Sequence, residues 1–187
     1  MKSVLISIKP KWCELIASGK KTIEVRKTRP KCDMPFKCYI YCTNDYRNWA
    51  TKSNNCEFWV GKPLNNISKG RYFCNGKVIG EFLCDSIFTI WDGYAGNLGD
   101  DCLTFEEREN YLKGNNGYGW HISDLVIYDE PKDLDDFMAF GKTHCNQKNC
   151  GGCLYMGIDG ICDVKDIGQP MTRPPRSWCY VEDVLRF

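Results

Sequence analysis

Residues 6–29, ISIKPKWCELIASGKKTIEVRKTR, change hydrophobic period twice, and each change constrains the local structure. The apolar run VLISI reads as a strand, and Lys9-Pro10 ends it. Proline cannot donate to a ladder, and its fixed φ suits the first turn of a helix. Trp12, Leu15 and Ile16 then fall on one side at helical spacing, which makes Trp12 a core residue, and Gly19 stands at the C-cap position. Beyond Lys20-Lys21 the period drops to two over residues 22–27. Ile23 and Val25 take one face; Thr22, Glu24 and Arg26 take the other. A hydroxyl, a carboxylate and a guanidinium in one line make either a solvated outer face or the floor of a polar cleft, with Lys9 and Lys21 at its rim.

The rest of the chain is mostly strand. Residues 36–43, FKCYIYCT, are rich in aromatic and β-branched side chains. Residues 44–72 read as an irregular insertion in which Trp49, Phe58 and Trp59 pack down. One long strand is expected over 77–90, with a bulge at Gly80. A surface loop follows at 93–101, and Thr104 with Glu107 forms a capping box that starts a helix to about Leu112. A strand over 120–129, a short helix over 133–140 opened by Pro131, and a last strand over 177–185 complete the order. Strand, helix, strand and then mainly strands with short helices suit an α+β small mixed β-barrel, and the regular alternation of a doubly wound sheet is missing. No phosphate-cradling glycine loop, G-x-S-x-G or H-E-x-x-H occurs.

With 187 residues, the chain fits one domain, 1–187, carrying insertions at about 44–72 and 141–170. A net charge of +1 gives no global field toward nucleic acid, so any such partner must meet a local basic patch. The apolar run at the N-terminus is too short for a signal peptide or a membrane span, and a cytoplasmic protein without membrane contact is expected. Thirteen cysteines are many for a reducing compartment. Cys38, Cys42 and Cys84 lie in apolar strand patterns and read as small core fillers.

Cys145-x4-Cys150-Gly-Gly-Cys153-x8-Cys162 is different, because four thiolates in one loop can close a zinc tetrahedron. His144 competes with Cys145 as a ligand. Reduced free thiols, or a redox pair at Cys150 and Cys153, are the alternatives, the latter without the β-α context of a thioredoxin-like motif. Near the C-terminal end Arg173-Pro-Pro-Arg176 is a stiff basic segment followed by Ser177 and Trp178. Two guanidinium forks and an indole face suit a phosphate and an unstacked base; the plainer reading is a surface loop with Trp178 in the core. Trp120-His121 is a lesser candidate.

Four motifs in order, SIKP with SGKKTIEVR (7–10 and 18–26), GKVIGEF (76–82), GWHISDLVIYDEP (119–131) and RPPRSWCYVE (173–182), resemble the ASCH domain, a relative of the PUA domains. The resemblance implies a small β-barrel with flanking short helices and a cleft that binds RNA or a nucleotide-like ligand, and it allows a Cys-rich insertion. Some small relatives hydrolyse the acetyl amide of acetylated cytidine with a Lys, a Thr and an acidic residue. Lys21 matches that Lys, but Glu24 stands where the Thr is expected and Thr22 does not match. Lys21 and Glu24 could act only as an acid–base pair. Ribonuclease chemistry finds no paired histidines. The reading is therefore an RNA- or nucleotide-binding protein whose ligand meets Lys9, Lys21, Thr22, Glu24, Arg26, Arg173, Arg176, Ser177 and Trp178, beside a structural zinc loop; a hydrolase in the same cleft is the alternative.

Overall fold

The computed structural model describes residues 2–44, 59–60, 72–94, 98, 100–143 and 168–182. The cysteines proposed as metal ligands, His144, and most of both insertions, with Trp49 and Phe58, lie outside these residues.

β1 (Lys2–Ile8) is the apolar run that opens the chain, and all of it but Lys2 is buried. Val4, Ile6 and Ile8 enter one hydrophobic cluster, while Leu5 enters a second on the opposite face. A strand covered on both sides needs the continuous apolar pattern that VLISI supplies. α1 (Pro10–Ala17) starts on the expected proline. Gly19, at φ +73, releases the chain from the helix in a conformation that other residues adopt only under strain. β2 (Ile23–Arg26) follows, one residue shorter at each end than the sequence pattern.

β3 (Phe36–Cys42) pairs parallel to β1. The short β4 (Trp59–Val60) and β5 (Tyr72–Phe73) pair with each other inside the first insertion. The expected strand over 77–90 is two strands, β6 (Val78–Cys84) and β7 (Ile87–Ile90), and they belong to different sheets. Asp85 and Ser86 make the break, and no periodicity marks it. Gly80 does sit at a register shift, and a Cβ there would lie 2.3 Å from the Val126 carbonyl oxygen.

The strand expected over 120–129 divides in the same way. After α2 (Phe105–Leu112), which begins on the Thr104–Glu107 capping box, come β8 (Gly117–His121) and β9 (Ser123–Lys132). The helix expected over 133–140 does not form. Pro131 is inside β9, the acidic run makes only a short 3-10 turn (Leu134–Asp136), and the chain returns as β10 (Met138–Thr143). Three acidic residues close together supply a cap but no apolar face at helical spacing. β11 (Gly168–Pro170) and β12 (Trp178–Glu182) end the described chain.

The larger sheet has the order β11-β10-β12-β1-β3-β6-β9, and the smaller β2-β8-β7. β6 to β7 and β8 to β9 carry the chain between the sheets at the same level, where the His121 amide donates to the Ser86 carbonyl and Ser123 Oγ to the Leu83 carbonyl. The result is a barrel-like α+β fold in which the two sheets are not closed into one cylinder. Trp120 seals the space between them. It is fully buried and meets Phe36 edge-on at 5.9 Å and Trp178 at 6.0 Å. Cys38, Cys42 and Cys84 are buried in this cluster, as expected of core fillers. Burial pushes the Cys13 and Cys38 thiols up and that of Cys84 to about 12, so these sulfurs stay protonated. No helix among the described residues is long and apolar enough to cross a membrane.

Candidate functional site

The polar face of β2 is neither solvated nor hidden. Glu24 and Arg26 are buried, 6% and 7% exposed, yet both line a cavity of about 910 Å³. Lys21, 2% exposed, joins them from the turn before the strand. The carboxylate of Glu24 lies between two cations: its Oε1 is 2.9 Å from Arg26 and its Oε2 is 3.4 Å from Lys21 Nζ. The Lys21 ammonium also donates to the carbonyls of Ile23 at 2.8 Å and Asp101 at 2.5 Å. Arg26 donates to the Ser7 carbonyl at 2.7 Å. Two cations and one carboxylate leave the floor with a positive surplus in a medium that screens poorly.

Not every polar atom on this floor is used. Among the described residues, Arg26 Nε is buried without a hydrogen-bond partner, and buried Glu24 Oε2 has only its ion pair with Lys21. One is an acceptor, the other a donor, and they belong to side chains that line the same cavity.

The cavity wall is assembled from segments distant in sequence. Ser7 donates its hydroxyl to the Pro175 carbonyl, 168 residues away, and its amide to the Ser177 carbonyl. These bonds tie the stiff Arg173-Pro-Pro-Arg176 segment to the end of β1, and Arg176 and the exposed Lys9 both reach the cavity lining. Trp12 lines it too. It packs on the core with part of its surface, but Lys21 Nζ stands 5.3 Å from its ring centre, so the expectation of a purely core tryptophan is corrected. Helix α2 closes another side with Glu107, Asn110 and Tyr111. The Thr104 amide, and then Lys11 at 3.4 Å, hold the Glu107 carboxyl below its usual range.

A second buried ion pair supports the floor from behind. Arg108 of α2 donates to Asp101 at 3.1 Å and to the Tyr94 carbonyl at 2.8 Å, while the other Asp101 oxygen accepts from the Leu103 amide. Arg108 and Asp101 are 2% and 1% exposed. The sequence pattern put Asp101 at the end of a surface loop and gave Arg108 no role. Neither belongs to an apolar period, and no local signal could have joined them.

Other expected site residues stand elsewhere. Thr22 bonds Asp100 through its hydroxyl and does not line the cavity. Arg173, Ser177 and Trp178 are also outside the lining. Trp178 packs on Trp120 and Tyr180 and donates Nε1–H to Thr28. His121 lies on the surface against Asp85 at 2.7 Å, and that bond holds the Asp85 carboxyl low. Among the described residues no group of three or more His, Cys, Asp or Glu side chains could hold a metal.

This architecture defines the class of fold, a barrel-like α+β arrangement with the cavity between strand β2, helix α2 and the C-terminal basic segment. Within that class the likeness is to ASCH proteins. A variant of the ASCH protein from Zymomonas mobilis superposes with a TM-score of 0.50 at 19% identity, over 72% of this chain and 78% of that one. A further structure of the ASCH protein from the same organism aligns at 20% identity over 71% and 74%, with a TM-score of 0.49. No family model matches the sequence, and no curated protein does. The chain thus has the ASCH fold.

Proposed function

We propose that the protein binds RNA or a nucleotide-like ligand in the cavity above Lys21, Glu24 and Arg26. The observation that carries this reading is the buried Lys21–Glu24–Arg26 floor of the cavity, whose guanidinium and carboxylate keep hydrogen-bonding capacity beyond their ion pairs. A buried donor without a partner costs about 1–3 kcal/mol, so Arg26 Nε is suited to a ligand acceptor, and Glu24 Oε2, held only by its 3.4 Å ion pair to Lys21, can also take a ligand donor. The edge of a nucleobase offers an N–H beside a carbonyl or ring nitrogen. Trp12 supplies an aromatic surface in the wall, and Lys9 with Arg176 supplies cations for phosphate.

Nucleoside monophosphates and short RNAs titrated into the protein, followed by tryptophan fluorescence, test this directly. Lys9→Ala and Arg176→Ala, both at exposed positions, are each expected to weaken binding by about 1.5–3 kcal/mol, the range for a charged hydrogen bond, with the melting temperature unchanged. Absence of any nucleotide or RNA binding by the wild type would end the reading.

Hydrolysis of an acetylated nucleoside in the same cavity would require Lys21 to exchange a proton with its substrate. An ammonium has three donors, and the three contacts at Lys21 go to Ile23, Asp101 and Glu24. That occupancy favours a binding role. Release of acetate from acetylated cytidine by the wild type would reverse the order.

We also propose a structural zinc ion held by Cys145, Cys150, Cys153 and Cys162. Its support is the sequence spacing alone. Protein purified without added metal is expected to contain about one zinc per chain, and replacing Cys150 and Cys153 with Ser should release it while the sheets remain folded. Metal-free wild-type protein would refute it.

A further inference from the structure

Next to Arg176, which lines the cavity, lies a strip of surface residues outside that lining. Arg176 stands in the lining, and β12 begins two residues further on, with Trp178 and Tyr180 on one side of the strand. Both rings are partly buried, and they meet at 5.5 Å with an interplanar angle of 77°.

The loop that follows β2 lies along this strip. Thr28 accepts from Trp178 Nε1, and the Lys31 amide donates to the Tyr180 hydroxyl at 2.7 Å. These two bonds fix residues 28–31 beside the aromatic pair and leave Arg29 and Lys31 exposed. Lys2 adds a cation 3.7 Å from the Tyr180 ring centre, and Arg29 stands 5.6 Å from that of Tyr118. Tyr118 is the cross-strand partner of Arg26 on the cavity floor. The strip adjoins the cavity at Arg176 and carries Arg29, Lys31 and Lys2, the last opposite Glu182 on β12, with aromatic rings set among them. Asp33 is the one carboxylate in the loop between β2 and β3.

A chain with a net charge of only +1 has concentrated cations here. Spaced cations interleaved with partly exposed rings match a polyanion that also carries bases, which a free nucleotide confined to the cavity would leave unused. We propose that this strip is a second subsite, along which the backbone of a single-stranded polynucleotide continues from the nucleotide held in the cavity. The proposal rests on the cavity reading above and deepens it: the ligand is a strand rather than a free nucleotide.

The test compares a nucleoside monophosphate with RNA and DNA hexamers of one sequence, using wild type and the double variant Arg29→Glu, Lys31→Glu. The wild type is expected to bind a hexamer about tenfold or more tighter than the monophosphate. The double variant should lose that advantage, with a salt slope shallower by about one to two, while its affinity for the monophosphate and its melting temperature hold. Equal affinity for the two hexamers assigns any single strand; a preference for RNA assigns RNA. A hexamer that binds no tighter than the monophosphate, or one unaffected by the double variant, overturns the second subsite and leaves the cavity reading standing. Failure of monophosphate and hexamers alike removes both.

Discussion

Glu24→Ala is expected to destabilise the protein by about 3–5 kcal/mol, the cost of removing one partner from a buried ion pair. Among the described residues the carboxylate is the one counter-charge in contact with two cations: Arg26 is at 2.9 Å and Lys21 at 3.4 Å, each less than a tenth exposed. Without it, two buried positive charges face one another across the cavity floor. Lys21 is held by the Ile23 and Asp101 carbonyls and Arg26 by the Ser7 carbonyl, so neither can swing out to water without breaking bonds to buried backbone. Urea unfolding followed by circular dichroism measures the effect. A shift below about 1 kcal/mol would mean that the triad is hydrated and the floor is not a low-dielectric site. Combining Glu24→Ala with Lys21→Met leaves one buried cation in place of two facing each other, so the double variant should cost less than the sum of the singles, a coupling that a purely steric effect would not produce.

Arg108→Leu should be as severe, about 3–5 kcal/mol, although Arg108 is not itself part of the cavity lining. It would leave the Asp101 carboxylate, 1% exposed, with only the Leu103 amide, and would free the Tyr94 carbonyl. Because the Asp101 carbonyl also accepts from Lys21 and the Asp100 carbonyl accepts from the Thr22 and Ile23 amides, the damage should reach β2. Hydrogen exchange is expected to show faster opening of the amides in β2 and α2, with β1 and β3 protected at temperatures where the protein stays folded. If stability is lost uniformly, or not at all, the pair does not brace the cavity. Replacing both members by apolar residues should recover part of the loss, since the cost lies in stranding one charge.

The two largest surprises in the fold share a cause. Residues 77–90 and 120–129 each read as one strand, and each crosses instead between two sheets. Period two reports that side chains change face; it does not report which neighbour each half pairs with. The helix expected over 133–140 failed for another reason. A capping sequence and a preceding proline mark a helix start, but only an apolar stripe keeps the helix docked, and there Phe137, Met138 and Phe140 sit in a strand-forming run.

The sequence by itself determined the elements around residues 6–29: a strand buried on both faces, a helix stopped by Gly19, and a strand with Glu24 and Arg26 on one side. Those follow from chain geometry within a few residues, where periodicity and glycine or proline chemistry act. It also marked Lys9, Lys21 and Arg176 as companions of that polar side, through motif resemblance and charge. Only the tertiary structure decided that the polar side is a buried cavity floor, that Trp178 belongs to the packing outside it, and that Asp101 and Arg108 brace it. The contacts responsible join residues 80 and 168 positions apart. Whether a polar face is wet, paired or aimed at a ligand depends on what distant segment covers it, and a local pattern carries no information about that cover.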